Sequence, residues 1–152
     1  MRVLTLVPLW LHVVGIVVWL GGVVYQAHVL RPAARGGDAA TFAEAARRQR
    51  PIAWTALSLV VLTGFYNVTR LGPLEHVMES GAGLILAGKF ILVLIVVAVA
   101  AQRDFTHLVR LHLSLATATD PTPALASIAR LDRFTILLGV VIIYLGLAIS
   151  RS

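Results

Sequence analysis

The chain has 152 residues, 59% of them hydrophobic and only 13% charged, where a soluble domain carries roughly twice that charged share. Because the apolar residues fall in long runs, the sequence predicts an all-α integral membrane protein, a single-domain four-helix transmembrane bundle rather than a soluble globule. The net charge of +6 does not point to nucleic acid, because the basic residues sit at the ends of the apolar runs, where they set topology.

The absence of cysteine excludes disulfides, thiolate metal sites and cysteine nucleophiles. Apolar runs at Val3–Tyr25, Ile52–Val68, Leu84–Ala101 and Phe134–Ala148 predict spans over about 3–25, 52–70, 84–103 and 134–150. The first run exceeds the ~7–15 residues of a signal-peptide core and has no close small-residue cleavage site, so it is expected to remain as a helix.

One residue in the first run conflicts with its hydropathy. His12 is ionisable, and an ionisable group in a span is expected to face protein and to mark a site. His12, Gly15, Trp19, Gly22 and Gln26 fall on one helical stripe. Its glycines allow close helix approach, so the stripe predicts the face turned to the other helices, with Trp54 as a lipid-accessible comparison. A bond from His12 to a neighbouring helix is the plainer alternative.

Pro32, Gly36 and Gly37 break the first helix, and Asp38 or Thr41 is placed to cap the next. An Ala-rich helix runs into Pro51, where the second span either starts or continues with a kink. Leu71-Gly72-Pro73 ends that span, and a short loop with Glu75, His76 and Glu79 follows. Beyond Gly81 and Gly83, the third helix meets no breaker until Asp120-Pro121, so it should continue past the membrane through Gln102–Leu115. The fourth helix is expected from about Ala124, projecting from the membrane before Phe134 enters it.

Nine arginines flank the first and third loops: Arg31, Arg35, Arg47, Arg48, Arg50, Arg103, Arg110, Arg130 and Arg133. Three lie on the other side, Arg2, Arg70 and Arg151. This bias puts those two loops in the cytoplasm and both termini outside, in the plasma (inner) membrane.

With that orientation, polar residues can be placed by depth. His12 lies roughly 13 Å and Lys89 roughly 8–9 Å from the outer ends of their spans. Thr63 and Asn67 share one face of the second helix, and Tyr144 sits in the outer half of the fourth. Each helix thus offers a polar side chain at one level. No Asp or Glu lies within a span, so Lys89 either snorkels to the headgroups or faces inward toward an anionic ligand. A second polar level is cytoplasmic, where His28 and His107 are either a shared metal site or two solvated histidines. His76 and His112 are weaker candidates.

The segments LHVVGIVVWLGG, LSLVVLTGFYNVTRLG and AGKFILVLIVVAVAAQ resemble the helices of the copper-resistance CopD membrane family. A histidine in the first helix and a lysine in the third are also similar to the related HemJ-type protoporphyrinogen oxidases. That resemblance implies a haem-linked activity carried by His12 and Lys89. The fourth helix departs from the HemJ pattern, with TILLGVVIIYLG in place of an NEVP-like segment.

Three functions are therefore open. In the first, haem b is bound with His12 as axial ligand and Lys89 holding a propionate, with Trp19, Asn67 and Tyr144 around it, as in a haem-dependent oxidoreductase of HemJ-like type. The second is copper transport or resistance, which would have to rest on imidazole, since soft thiolate and thioether ligands are nearly absent. The third is an accessory subunit of a larger membrane complex or homo-oligomer.

Overall fold

The computed structural model describes residues 2–32, 37–70 and 81–149, with side chains at 2–5, 81–82 and 148–149 excepted. The described chain is entirely helical between its turns and forms four rods. The first is α1, Arg2–Tyr25, prolonged by a π-helical turn at Gln26–Leu30. The second is α2, Ala39–Thr69. The third joins α3, Gly81–Gln102, through a π turn at Arg103–His107 to α4, Leu108–Ala116. The fourth is α5, Thr122–Ile149.

Local chemistry accounts for the ends. Asp38 caps α2, its Oδ1 accepting from the Thr41 amide at 3.2 Å. Pro51 does not start a helix; it lies inside α2, which runs through it. Thr55 donates its hydroxyl to the Pro51 carbonyl at 2.8 Å. The third rod ends where Ala118 adopts a left-handed φ of 52° and Thr117 and Thr119 donate back to Leu113 and Ser114. Asp120 then accepts from the Thr122 amide at 2.9 Å, opening α5 two residues before the expected start. The expected breakers at Gly36 and Leu71–Pro73, together with Glu75, His76 and Glu79, lie outside the described residues.

Three helical stretches are long and apolar enough to cross a membrane: Leu6–Leu30, Ala39–Thr69 and Gly83–Ala116. α5 carries its shorter apolar part beside them. α1 packs most extensively on α2, and α3 on α5, with α1 also touching α5. Lipid tails are as apolar as leucine, so close backbone approach rather than hydrophobic burial holds such rods together. Gly15 makes that approach possible on α1: a Cβ there would stand 2.8 Å from Val60 Cγ2 and 3.2 Å from the Ala56 carbonyl. Large apolar side chains such as Trp10, Leu62, Leu94 and Leu137 are left on the outer surface, as lipid contact requires.

The interior divides into two apolar clusters. One lies among the membrane segments and contains Trp19, Ala56, Leu57, Val96, Ala100 and Leu138. The other joins the start of α2 to α4 and the start of α5, through Phe42, Ala46, Leu108, Leu111, Leu125 and Ile128. The bundle therefore continues beyond its most apolar stretches with a packed core of its own.

Candidate functional site

Two polar sites lie inside this frame. The first is His12. On α1 it faces α2, where Gly64 gives the ring room: a Cβ on Gly64 would lie 3.1 Å from His12 Cε1. His12 Nδ1 stands 2.9 Å from the Val60 carbonyl and 3.0 Å from Thr63 Oγ1. Thr63 donates its own hydrogen to the Leu59 carbonyl at 2.6 Å. Both groups beside Nδ1 therefore accept, so Nδ1 carries a proton. In the neutral ring the lone pair is left on Nε2. Imidazoles that ligate metals are oriented in this way, with one nitrogen donating to a carbonyl and the other free.

Lys89 on α3 is half-buried and within electrostatic reach of His12. Its Nζ lies against α5, where a Cβ on Gly146 would come within 3.2 Å of it. No carboxylate among the described residues forms an ion pair with Lys89. Asn67 is half-buried and lies one turn beyond the Thr63 that His12 touches. Trp19 is buried, as the stripe expectation required, together with Gly15 and Gln26.

Tyr144 corrects the picture of a common level contributed by all four helices. It is 69% exposed on the outer face of α5. Leu138 and Ile142, which do reach the core, lie on the other side of that helix. An amphipathic phenol so placed suits the lipid interface rather than the bundle interior. Trp54 also departs from expectation. It packs partly into the membrane-side core and donates its indole hydrogen to Asp104 at 2.9 Å, so it is no simple lipid-facing reference.

His28 is exposed, with Nδ1 turned back to the Val24 carbonyl of its own helix at 3.1 Å. His107 is partly buried and faces the guanidinium charges of Arg110 and Arg130, which oppose a metal cation. No group of three or more His, Cys, Asp or Glu side chains able to hold a metal occurs among the described residues. His76 is not among those residues.

The second site was not anticipated from the sequence. Between the two apolar clusters lies a buried polar layer. Arg103 donates from Nε to Asp132 Oδ1 at 2.6 Å, from Nη1 to Asp104 Oδ1 at 2.7 Å, and from Nη2 to Gln26 Oε1. Arg31 reaches Asp132 Oδ2 at 3.2 Å. Gln26 in turn donates to Gln49 Oε1 at 2.6 Å. Two guanidinium groups and two carboxylates thus balance one another, and each carboxylate is held by more than one donor. That arrangement is what burial of charge requires.

Arg31 and Arg103 had been counted with the boundary arginines that set topology, yet they are only 6% and 8% exposed. Two π turns lie in this layer. Each begins at a layer residue, Gln26 or Arg103, and each buries two consecutive residues, Gln26–Ala27 and Arg103–Asp104. Single π turns inside α-helices are frequent at functional sites.

The family model for CopD, copper resistance protein D, matches residues 43–149. The match covers Lys89 and the layer residues Gln49, Arg103, Asp104 and Asp132, and it leaves out His12. No curated protein and no solved structure matches the chain. The helical, membrane-suited architecture agrees with a family match over most of the sequence, and the chain belongs to the CopD family of membrane proteins.

Proposed function

We propose that this CopD-family protein binds haem b within the bundle at His12 and serves a redox-linked role. The observation that carries the reading is the bond from His12 Nδ1 to the Val60 carbonyl, which leaves Nε2 free to ligate. Donor count favours haem over a resident copper ion. Haem brings four ring nitrogens and needs only one or two protein ligands. A copper ion needs several, and the described residues offer no cluster of three. Lys89 supplies the cation for a propionate carboxylate, since no protein carboxylate among the described residues pairs with it. Bound haem would supply one-electron chemistry, while the chain orients the ligand and excludes water. In this reading α5 crosses the bilayer with the other rods, the first and third loops are cytoplasmic, and the protein sits in the plasma (inner) membrane.

The second reading is copper handling, favoured by the family's description as copper resistance protein D. There copper is cargo rather than a resident cofactor.

The test is the visible spectrum and metal content of the purified protein. A Soret band that disappears in His12→Ala, weakens in Lys89→Met and partly returns in Lys89→Arg is the expected result. Arginine keeps the charge but changes its geometry. A colourless protein with stoichiometric copper selects the second reading. A protein with neither, whose folded yield is unaffected by both substitutions, is an accessory subunit.

A further inference from the structure

The polar layer borders a cavity of about 30 Å³, and a water needs ~10–15 Å³. Gln26, Gln49, Arg50, Arg103, Asp104 and Thr135 form its polar lining. Thr135 is 2% exposed, and its Oγ1 has no hydrogen-bond partner among the described residues. A helical threonine commonly donates to a carbonyl three or four residues back, as Thr55 and Thr63 do here. Thr135 makes no such bond. A buried hydroxyl left unpaired is costly, and the cavity it borders has room for a small polar partner.

The wall identifies that partner. Arg103 and Asp104 already neutralise each other at 2.7 Å, and the remaining charged lining group, Arg50, stacks its guanidinium over the Phe105 ring at 5.5 Å. A cation would stand against the Arg103 guanidinium, and an anion against the Asp104 carboxylate. A neutral molecule with both donor and acceptor capacity meets neither obstacle. We infer that the cavity is a binding site for one internal water, held by Thr135 Oγ1 on α5 and by the polar groups of Gln49 on α2 and Asp104 in the third rod. The water joins three rods at the level of the two π turns. It gives α5 a second tie to the layer, one turn beyond Asp132.

The test uses the full chain in lipid nanodiscs, with water itself as the probe. In solid-state NMR, magnetisation from water protons is transferred to the side-chain amides of Gln26 and Gln49. The wild-type protein should show these cross-peaks. Thr135→Val, which keeps the volume and removes the hydroxyl, should lose them and melt about 2–4 °C lower. Thr135→Ser should retain them. Absence of the cross-peaks in the wild-type protein overturns the site whatever the variants do. So does Thr135→Val with the cross-peaks intact, or with a raised melting temperature, which would mark the hydroxyl as simply unpaired.

Discussion

Arg103 and Asp132 stand 29 residues apart in the chain and meet at 2.6 Å, with the Asp132 side chain wholly buried. The pair ties the third rod to α5 at the junction of the two apolar cores, and Arg31 adds the first rod through the other carboxylate oxygen. Arg103 also holds Asp104, and Asp132 is the carboxylate that both guanidinium groups share.

Asp132→Ala should therefore lower unfolding stability by about 3–5 kcal/mol, because two buried cations lose their common partner. Arg47→Ala, which removes an exposed partner of Glu44, should leave stability unchanged within error. Denaturant unfolding in mixed micelles measures both. Replacing Asp132 and Arg103 together by leucine and methionine should recover little of the loss, because Arg31 and Asp104 each lose an ion-pair partner.

Gly22 has a different role from Gly15. A Cβ on Gly22 would collide with the Gln49 amide, so Gly22→Ala should expel Gln49 from its bond with Gln26. Gly15→Ala should instead force α1 from α2 and cost about 1–3 kcal/mol, as overpacking does. Side-chain amide shifts of Gln26 and Gln49 distinguish the two, moving strongly only in Gly22→Ala.

Trp19 is 7% exposed and Trp10 64%. In variants retaining a single tryptophan, lipid-borne quenchers should reach Trp10 freely and Trp19 poorly. Equal quenching of the two would place the Trp19 stripe against lipid.

Asp120 lies in the turn before α5, where hydrogen bonds from the Thr122 side chain and then its amide hold the carboxyl below the usual range. A carboxyl whose pKa is depressed by folding stabilises the protein above its unfolded pKa of ~3.9 and loses that effect as pH falls through the folded value. The melting temperature of Asp120→Ala should fall below wild type at pH 6, and the gap should close on acidification below about pH 4.

Topology rests on the nine-to-three arginine bias. A reporter inserted at Thr119 should be active only as a cytoplasmic reporter, and one fused after Ser152 only as an external one. The reverse pattern would invert the bundle.

The sequence made the rods readable because their signals are local. Long apolar runs, the Asp38 cap and the missing breakers after Gln102 gave the helices their approximate limits. The His12–Trp19–Gln26 stripe was also readable, because α1 is regular up to Tyr25. The polar layer was not. Arg31, Arg103, Asp104 and Asp132 flank apolar runs, where charges ordinarily meet headgroups, and only tertiary packing pairs residues up to 101 positions apart. The π turns add to this by shifting the phase from which facing residues are counted. Tyr144 was misplaced because depth in the membrane says nothing about azimuth round the helix.

α2 runs unbroken from Ala39 to Thr69, straight through Pro51. Val60 and Thr63, which hold His12, are thus mounted on the same shaft as Gln49 and Trp54, which hold the charged layer. The two sites are separated by ~16 Å of a single helix, Gln49 to Val60, with no loop between to absorb strain. Any twist or slide of α2 that opened space at His12 would carry Gln49 and Trp54 with it, loading the bonds to Gln26 and Asp104. The helix acts as a drive shaft between an electrically balanced joint and a lone imidazole.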